Sequence, residues 1–277
     1  MPKISNLLEK LLRLTVAEYI KQLLSWEEYS FSLQEIKEKT GKNDVSIRSE
    51  LSRLIEKKEI FNLRKGFYII MTPRYFSFEK LPIQLYSEKL FKYLNRKYYI
   101  GLYTAAKTHG ASHQQVHRDY IIIERPKLID IKKTSINIRF ITSSQWPKNN
   151  IQTRKSDAGL YHISSPALTM LDLINYQSSL GGLNRILPTL EELSEEIEEN
   201  DLTEVLIWYS KQSNLQRLGY LLEHFGTNEI HFAQQIFEHL SNSRNFPILL
   251  CPESNQKPGA VSNRWKVVVN IKLESDL

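Results

Sequence analysis

Apolar positions in the first seventy residues recur at helical spacing and then switch to strand-like runs. Thr15-Val16-Ala17-Glu18 has the form of a capping box, in which hydroxyl and carboxylate each take one orphan N–H. The helix it opens carries Ile20, Leu23 and Leu24 on one side and runs to about Ser25. Ser32-Leu33-Gln34-Glu35 repeats the device and predicts a short second helix with Leu33 and Ile36 inward. Residues 40–44 break it, and Gly41 supplies the positive φ that a tight turn needs. From about Asp44 to Lys58, the residues Ile47, Leu51, Leu54 and Ile55 fall at i, i+4, i+7 and i+8 and make one apolar face. Residues 59–63, 64–66 and 67–70 then read as strand, turn and strand. That order predicts a winged helix-turn-helix over residues 1–78.

The remainder, residues 79–277, predicts a larger domain. Pro73 and Tyr75-Phe76-Ser77-Phe78 form the connector into it. Residues 86–96 read as an amphipathic helix and 102–108 as a short one, closed by His109-Gly110. Strand-like runs follow at 116–123, 136–141, 151–155 and 160–164, with Asp157-Ala158-Gly159 as the last turn. Ser165 caps a helix that has Pro166 at its first position. From Gly181 the chain reads as helical, with Asn214 capping residues 215–225 and a further helix over 229–242. The acidic run 191–201 reads as a solvated face. Residues 246–251 and 265–270 return to strand. The fold class is therefore α+β: an N-terminal winged helix-turn-helix followed by a larger domain with a mostly antiparallel sheet of about four strands and a helical C-terminal part.

Composition narrows the setting. A hydrophobic fraction of 41% fills a core. The single cysteine, Cys251, excludes a disulfide within the chain and fits a reducing compartment. The first residues are too charged for a signal peptide, and no apolar run nears the ~18 residues of a membrane span. A cytoplasmic protein without membrane association is expected. The formal charge of +6 is unevenly spread: residues 1–78 are net +4, 79–180 net +8 and 181–277 net −6. The first two thirds suit a polyanion and the last third does not.

The charge gives the third helix a role. Opposite its apolar face stand Arg48, Ser49, Ser52 and Arg53. Small residues between arginines let a helix enter a major groove, where guanidinium forks pair with guanine edges or phosphates. Arg64 and Lys65 put two cations at the tip of the wing, suited to backbone phosphates. Double-stranded DNA is the expected partner through these six residues.

Catalytic patterns are weak. His109, His113 and His117 have helical spacing, but Gly110 opens the segment and strand follows, so loop hydrogen bonding is the expected role. Asp130-Ile131-Lys132, with Asp119 or Glu124 upstream, loosely echoes the Mg²⁺-binding core of a restriction-type nuclease. Cys251 precedes a proline in an apolar strand and reads as a packing residue. Gly181-Gly182 lacks the serine and paired aspartates of a nucleotidyltransferase loop. No catalytic, cofactor or metal residue is assigned, and no enzyme is expected. Two other readings stay open: a DNA-processing enzyme whose nuclease-like domain is delivered by the winged helix, and a ligand-responsive repressor.

The wider pattern resembles the AbiEi family, antitoxins of type IV toxin–antitoxin systems, several tied to abortive infection against phage. The resemblance covers nearly the whole chain: the wing Arg64-Lys65-Gly66-Phe67-Tyr68; Tyr98-Tyr99-Ile100-Gly101-Leu102 through Ala105-Ala106, His109-Gly110-Ala111 and His113-Gln114-Gln115; Ser164-Ser165-Pro166-Ala167-Leu168-Thr169 with Leu171-Asp172-Leu173; Gly181-Gly182-Leu183-Asn184-Arg185; Arg217-Leu218-Gly219-Tyr220-Leu221-Leu222; and Arg264-Trp265-Lys266-Val267 through Asn270. Lys107-Thr108 departs from the more apolar residues of its block. The resemblance implies two activities. The winged helix represses the protein's own promoter at inverted repeats, and the larger domain counteracts a neighbouring nucleotidyltransferase-like toxin, for which a stable complex is not a requirement.

Overall fold

The computed structural model describes residues 14–76, 80–111, 118–133, 136–225, 230–253 and 256–274. The chain divides into two compact units, one of residues 1–98, 130–138 and 153–161, the other of 99–129, 139–152 and 162–277. The expected boundary at residues 78 and 79 lies outside the described residues. The helix after it, Ser87–Leu94, groups with the first unit.

The first unit begins with α1 (Val16–Ser25), β1 (Ser30–Ser32), α2 (Leu33–Thr40), α3 (Asp44–Glu56), β2 (Ile60–Arg64) and β3 (Phe67–Ile70). Both capping boxes close. Thr15 Oγ1 accepts the Glu18 N–H at 3.1 Å, and the Glu18 carboxylate accepts the Thr15 N–H at 2.7 Å. The equivalent Ser32–Glu35 distances are 3.1 and 2.5 Å. β1 pairs antiparallel with β3, giving the strand order β1-β3-β2. Three residues are too few for an alternation signal, so β1 was not foreseeable from pattern. Val16, Tyr19, Ile20, Leu23, Phe31, Ile36, Ile47, Leu51, Leu54, Ile60 and Ile70 form the core. Ile55, expected inside, is 40% exposed. Eight residues on from Ile47 is about 80° round the helix, at the edge of the buried stripe. A helix α4 (Ser87–Leu94) follows, ended by Asn95 in the left-handed region at φ 50°.

A mixed sheet joins β4 (Tyr98–Ile100), β5 (Asp119–Ile123), β6 (Ile131–Lys133), β7 (Ile136–Thr142), β8 (Ile151–Ser156) and β9 (Gly159–Ser164) in the order β6-β7-β5-β4-β9-β8. The short strands β4 and β6 add to the four expected from pattern. β4 runs parallel to β9, with Ile100 opposite Ile163. The start expected for β5 at residue 116 lies outside the described residues.

The second unit contains α5 (Leu102–Thr108), α6 (Pro166–Asn175), α7 (Leu183–Glu195), α8 (Glu199–Trp208), α9 (Gln212–Phe225) and α10 (Ile230–Ser241). Ser165 caps α6 as expected, and residues 166–174 of that helix are all buried. Gly219 lies flat against the Trp265 ring, where a Cβ would overlap it. Asn214 does not cap its helix. The helix begins earlier, at Gln212, and Asn214 is buried inside it, donating to Asn175 Oδ1 at 3.1 Å and Tyr209 Oη at 2.8 Å. The acidic run is not solvated throughout: Asp201 accepts the Ala167 N–H at 2.8 Å and Asn150 Nδ2 at 2.7 Å. The tail strands contract to β10 (Ile248–Leu249) and β11 (Val267–Val268), paired parallel.

Asp172 is 6% exposed on α6 and accepts from Tyr99 Oη at 2.9 Å. Burial pushes its carboxyl up to about 7, against the bond from Tyr99 and the charge of Lys211. The folded protein therefore holds a proton here that the unfolded chain releases near pH 4, so this group's contribution to stability falls as pH rises from about 4 to 7. Asp172→Asn should remove that loss. Its melting temperature relative to wild type should climb by several degrees between pH 4 and 8, measured by paired thermal melts. A constant difference across that range would show that Asp172 does not titrate in this way.

Candidate nucleic-acid interface

α3 is set by contacts at its start and at its middle. Asn43 caps it, accepting the Ser46 N–H at 2.9 Å. Glu50 accepts the Val16 N–H at 2.9 Å and Lys42 Nζ at 2.5 Å. Burial works against the Glu50 charge, but these partners outweigh it and hold the carboxyl below its ordinary value. With Ile47, Leu51 and Leu54 in the core, Arg48, Ser49, Ser52 and Arg53 are all exposed.

An open groove runs beside this face. Gln34 and Lys37 of α2, Arg48 of α3, Asn62 and Tyr68 of the hairpin, Lys65 at its tip and Tyr93 of α4 line it. Lys37 also pairs with Asp44 at 2.8 Å. Of the two expected wing cations, Lys65 is exposed. Arg64 is half-buried, and desolvation lowers its pKa. Three cations around one concave surface suit phosphates, and Asn62 and Tyr68 add neutral hydrogen-bonding groups.

The wing is held from outside the winged helix. Tyr93 Oη donates to the Lys65 carbonyl at 2.9 Å, and its ring centroid lies 5.3 Å from that of Phe67. Gly66, at φ +76°, would put a Cβ only 2.8 Å from the Tyr93 hydroxyl. Lys89, one turn before Tyr93, reaches Glu28 at 2.6 Å and Glu35 at 2.9 Å. Lys133 of β6 donates to the Asn62 carbonyl at 2.5 Å, so one basic stretch of residues 79–180 lies beside the wing. Lys37 was within reach of a sequence argument, since it sits on the polar side of α2. Tyr93 and Lys133 carry no local signal, because only the tertiary fold brings them here.

The other candidates have structural placements. His109 Nε2 lies 2.7 Å from the Ser164 carbonyl, while His113 and His117 fall outside the described residues. Among the described residues, Asp119, Glu124 and Asp130 join no group of three His, Cys, Asp or Glu side chains able to hold a metal. Cys251 is half-buried with a free thiol. Gly181 and Gly182, both at positive φ, form the turn into α7. In the second unit several of the resembling blocks meet one another: Tyr99 bonds Asp172, His109 reaches the Ser164 carbonyl, and Gly219 packs on Trp265.

Residues 99–224 match the family model described as the AbiEi antitoxin C-terminal domain. The fold is similar to the crystal structure of RV2827C protein from Mycobacterium tuberculosis, with a TM-score of 0.62 over 91% of this chain and 89% of that one. Sequence identity between the two is 13%, so the likeness is one of fold. A comparison with curated proteins returns no match.

Lys89 is the testable joint. Burial opposes the Glu35 charge, yet the Ser32 N–H and Lys89 together keep its pKa below the usual value. The stability this ion pair contributes is therefore present above the ordinary carboxylate pKa and disappears as pH falls through the lowered one. Lys89→Met should cost about 1 kcal/mol at pH 7, a value discounted for partial exposure. The cost should shrink below about pH 4, where carboxylates protonate. Chemical denaturation at both pH values would measure it, and an equal cost at both would remove the ion pair from the account.

Proposed function

We propose that this chain is an AbiEi antitoxin, a reading supported by the match of residues 99–224 to that family's C-terminal domain, and that it joins two activities: repression of its own promoter and restraint of a nucleotidyltransferase-like toxin. The observation that carries the first is the groove that collects Lys37, Arg48 and Lys65 beside the exposed Arg48–Arg53 face. α3 enters the major groove of duplex DNA. Arg48 and Arg53 contact base edges or phosphates there, with Ser49 and Ser52 allowing close approach. Arg64 and Lys65 hold the backbone without reading sequence. Inverted repeats let two copies bind one operator, raising the effective concentration of the second. The toxin is met by the second unit in the cytoplasm, with or without a lasting complex.

Arg48→Ala with Arg53→Ala should lower affinity for the protein's own promoter fragment by about 1–3 kcal/mol for each guanidinium that pairs with a base edge. Arg64→Ala with Lys65→Ala should weaken promoter and random DNA alike, and flatten the salt dependence by about one or two units. Gel shifts across a salt series separate these outcomes. An unchanged affinity in the α3 variant would remove α3 from the interface.

The two activities should also part in one variant. The chain carrying Arg48→Ala and Arg53→Ala should restore growth to cells expressing the neighbouring toxin while leaving a promoter–reporter fusion derepressed. Growth after toxin induction, run beside the reporter, reads both. Loss of rescue in a variant that melts like wild type would place antitoxin action on the DNA-binding face.

A further inference from the structure

On α3, steps of about 100° per residue place Arg48, Ser49 and Ser52 within an arc of roughly 100°. Val45 lies at the middle of that arc, about 160–180° from Ile47 and Leu54 in the core. Its side chain is 79% exposed in the first turn, next to the Asn43 cap. A lone exposed valine is ordinary on a protein surface. This one stands where a recognition helix points its N-terminal residues at base edges. A β-branched side chain is also a poor choice for an exposed helical site, where Ala, Glu or Lys would favour the helix more. Neither packing nor propensity accounts for it.

We propose that Val45 reads a thymine methyl group in the major groove, beside a base contacted by Arg48, and so sets part of the operator's sequence preference. The inference rests on the DNA-binding reading of α3. Apolar contact with the C5-methyl is the means by which a hydrocarbon side chain tells thymine from the other bases. Arg48 stands one turn on and Ser49 four residues on, so the valine has a cation and a hydroxyl beside it. A methyl-bearing base next to a guanine or a phosphate matches that sequence of groups.

The test uses the full chain and a fragment of its own promoter, made once with thymine and once with deoxyuridine throughout. Wild type should bind the thymine fragment about fourfold or more tightly, the effect of burying one methyl. Val45→Ser, which puts a hydroxyl where the hydrocarbon stood, should bind both fragments alike, near the wild-type affinity for deoxyuridine DNA. Val45→Ile should keep the discrimination. The proposal is overturned if Val45→Ser discriminates as strongly as wild type. It is overturned too if wild type prefers its promoter to random DNA but treats the two fragments equally, a result that leaves DNA binding standing. No preference of wild type for promoter over random DNA would bring down the DNA-binding reading itself.

Discussion

The carboxylate of Glu35 acts in two directions at once. One oxygen closes the capping box of α2 on the Ser32 N–H, and the other meets Lys89 of α4. Four residues beyond Lys89, Tyr93 holds the Lys65 carbonyl and packs beside Phe67. The start of a helix-turn-helix element and the tip of the wing are thus fixed by the same short helix. Each contact is half-exposed and worth little alone. Their value is geometric, because both walls of the basic groove depend on them. A wing free to swing would leave Lys65 without a defined position relative to Arg48.

The two units use carboxylates in opposite ways. Glu35 and Glu50 keep their charge, because backbone N–H groups and lysines outweigh desolvation. Asp172 meets a tyrosine hydroxyl, and burial dominates. Ion pairs suit a small unit that must present cations outward in fixed places. A neutral acid suits a large apolar core, where an unpaired charge costs far more than a hydrogen-bonded carboxyl group. The blocks that resemble the AbiEi family fall mainly in that core: Tyr99 with Asp172, His109 with Ser164, Gly219 against Trp265. These residues hold a scaffold together, so the family match speaks to fold and to antitoxin descent more directly than to any reacting group.

What could be read from the chain was what depends on near neighbours. Both capping boxes, the buried face of α3, the hairpin of β2 and β3 and the Ser165 cap before Pro166 are decided within a few residues. What escaped depends on distance along the chain. β1, β4 and β6 have three residues each and become strands through their partners. Asn214 has the composition of a cap, but its side chain is claimed by Asn175 and Tyr209. The candidate site divides the same way. Arg48, Ser49, Ser52 and Arg53 follow from one helical period, whereas Tyr93 and Lys133 reach the wing from 28 and 71 residues away from their partners.

That long reach bears on how the two proposed activities can share one chain. The winged helix looks separable in sequence, since its core closes on residues between Val16 and Ile70. Its wing does not, because the groups bracing it sit on α4 and on β6. A cut between the wing and α4 would leave Gly66 without the hydroxyl that fills its open side, and Glu35 without its lysine. Point changes on the outer face of α3 touch none of these bracing groups. On the proposed reading, DNA recognition is a surface property of the first unit and can be removed side chain by side chain. The shape of the wing that would support it belongs to a longer stretch of the chain, and this ties the proposed DNA-binding module to the segments that lead into the matched C-terminal domain.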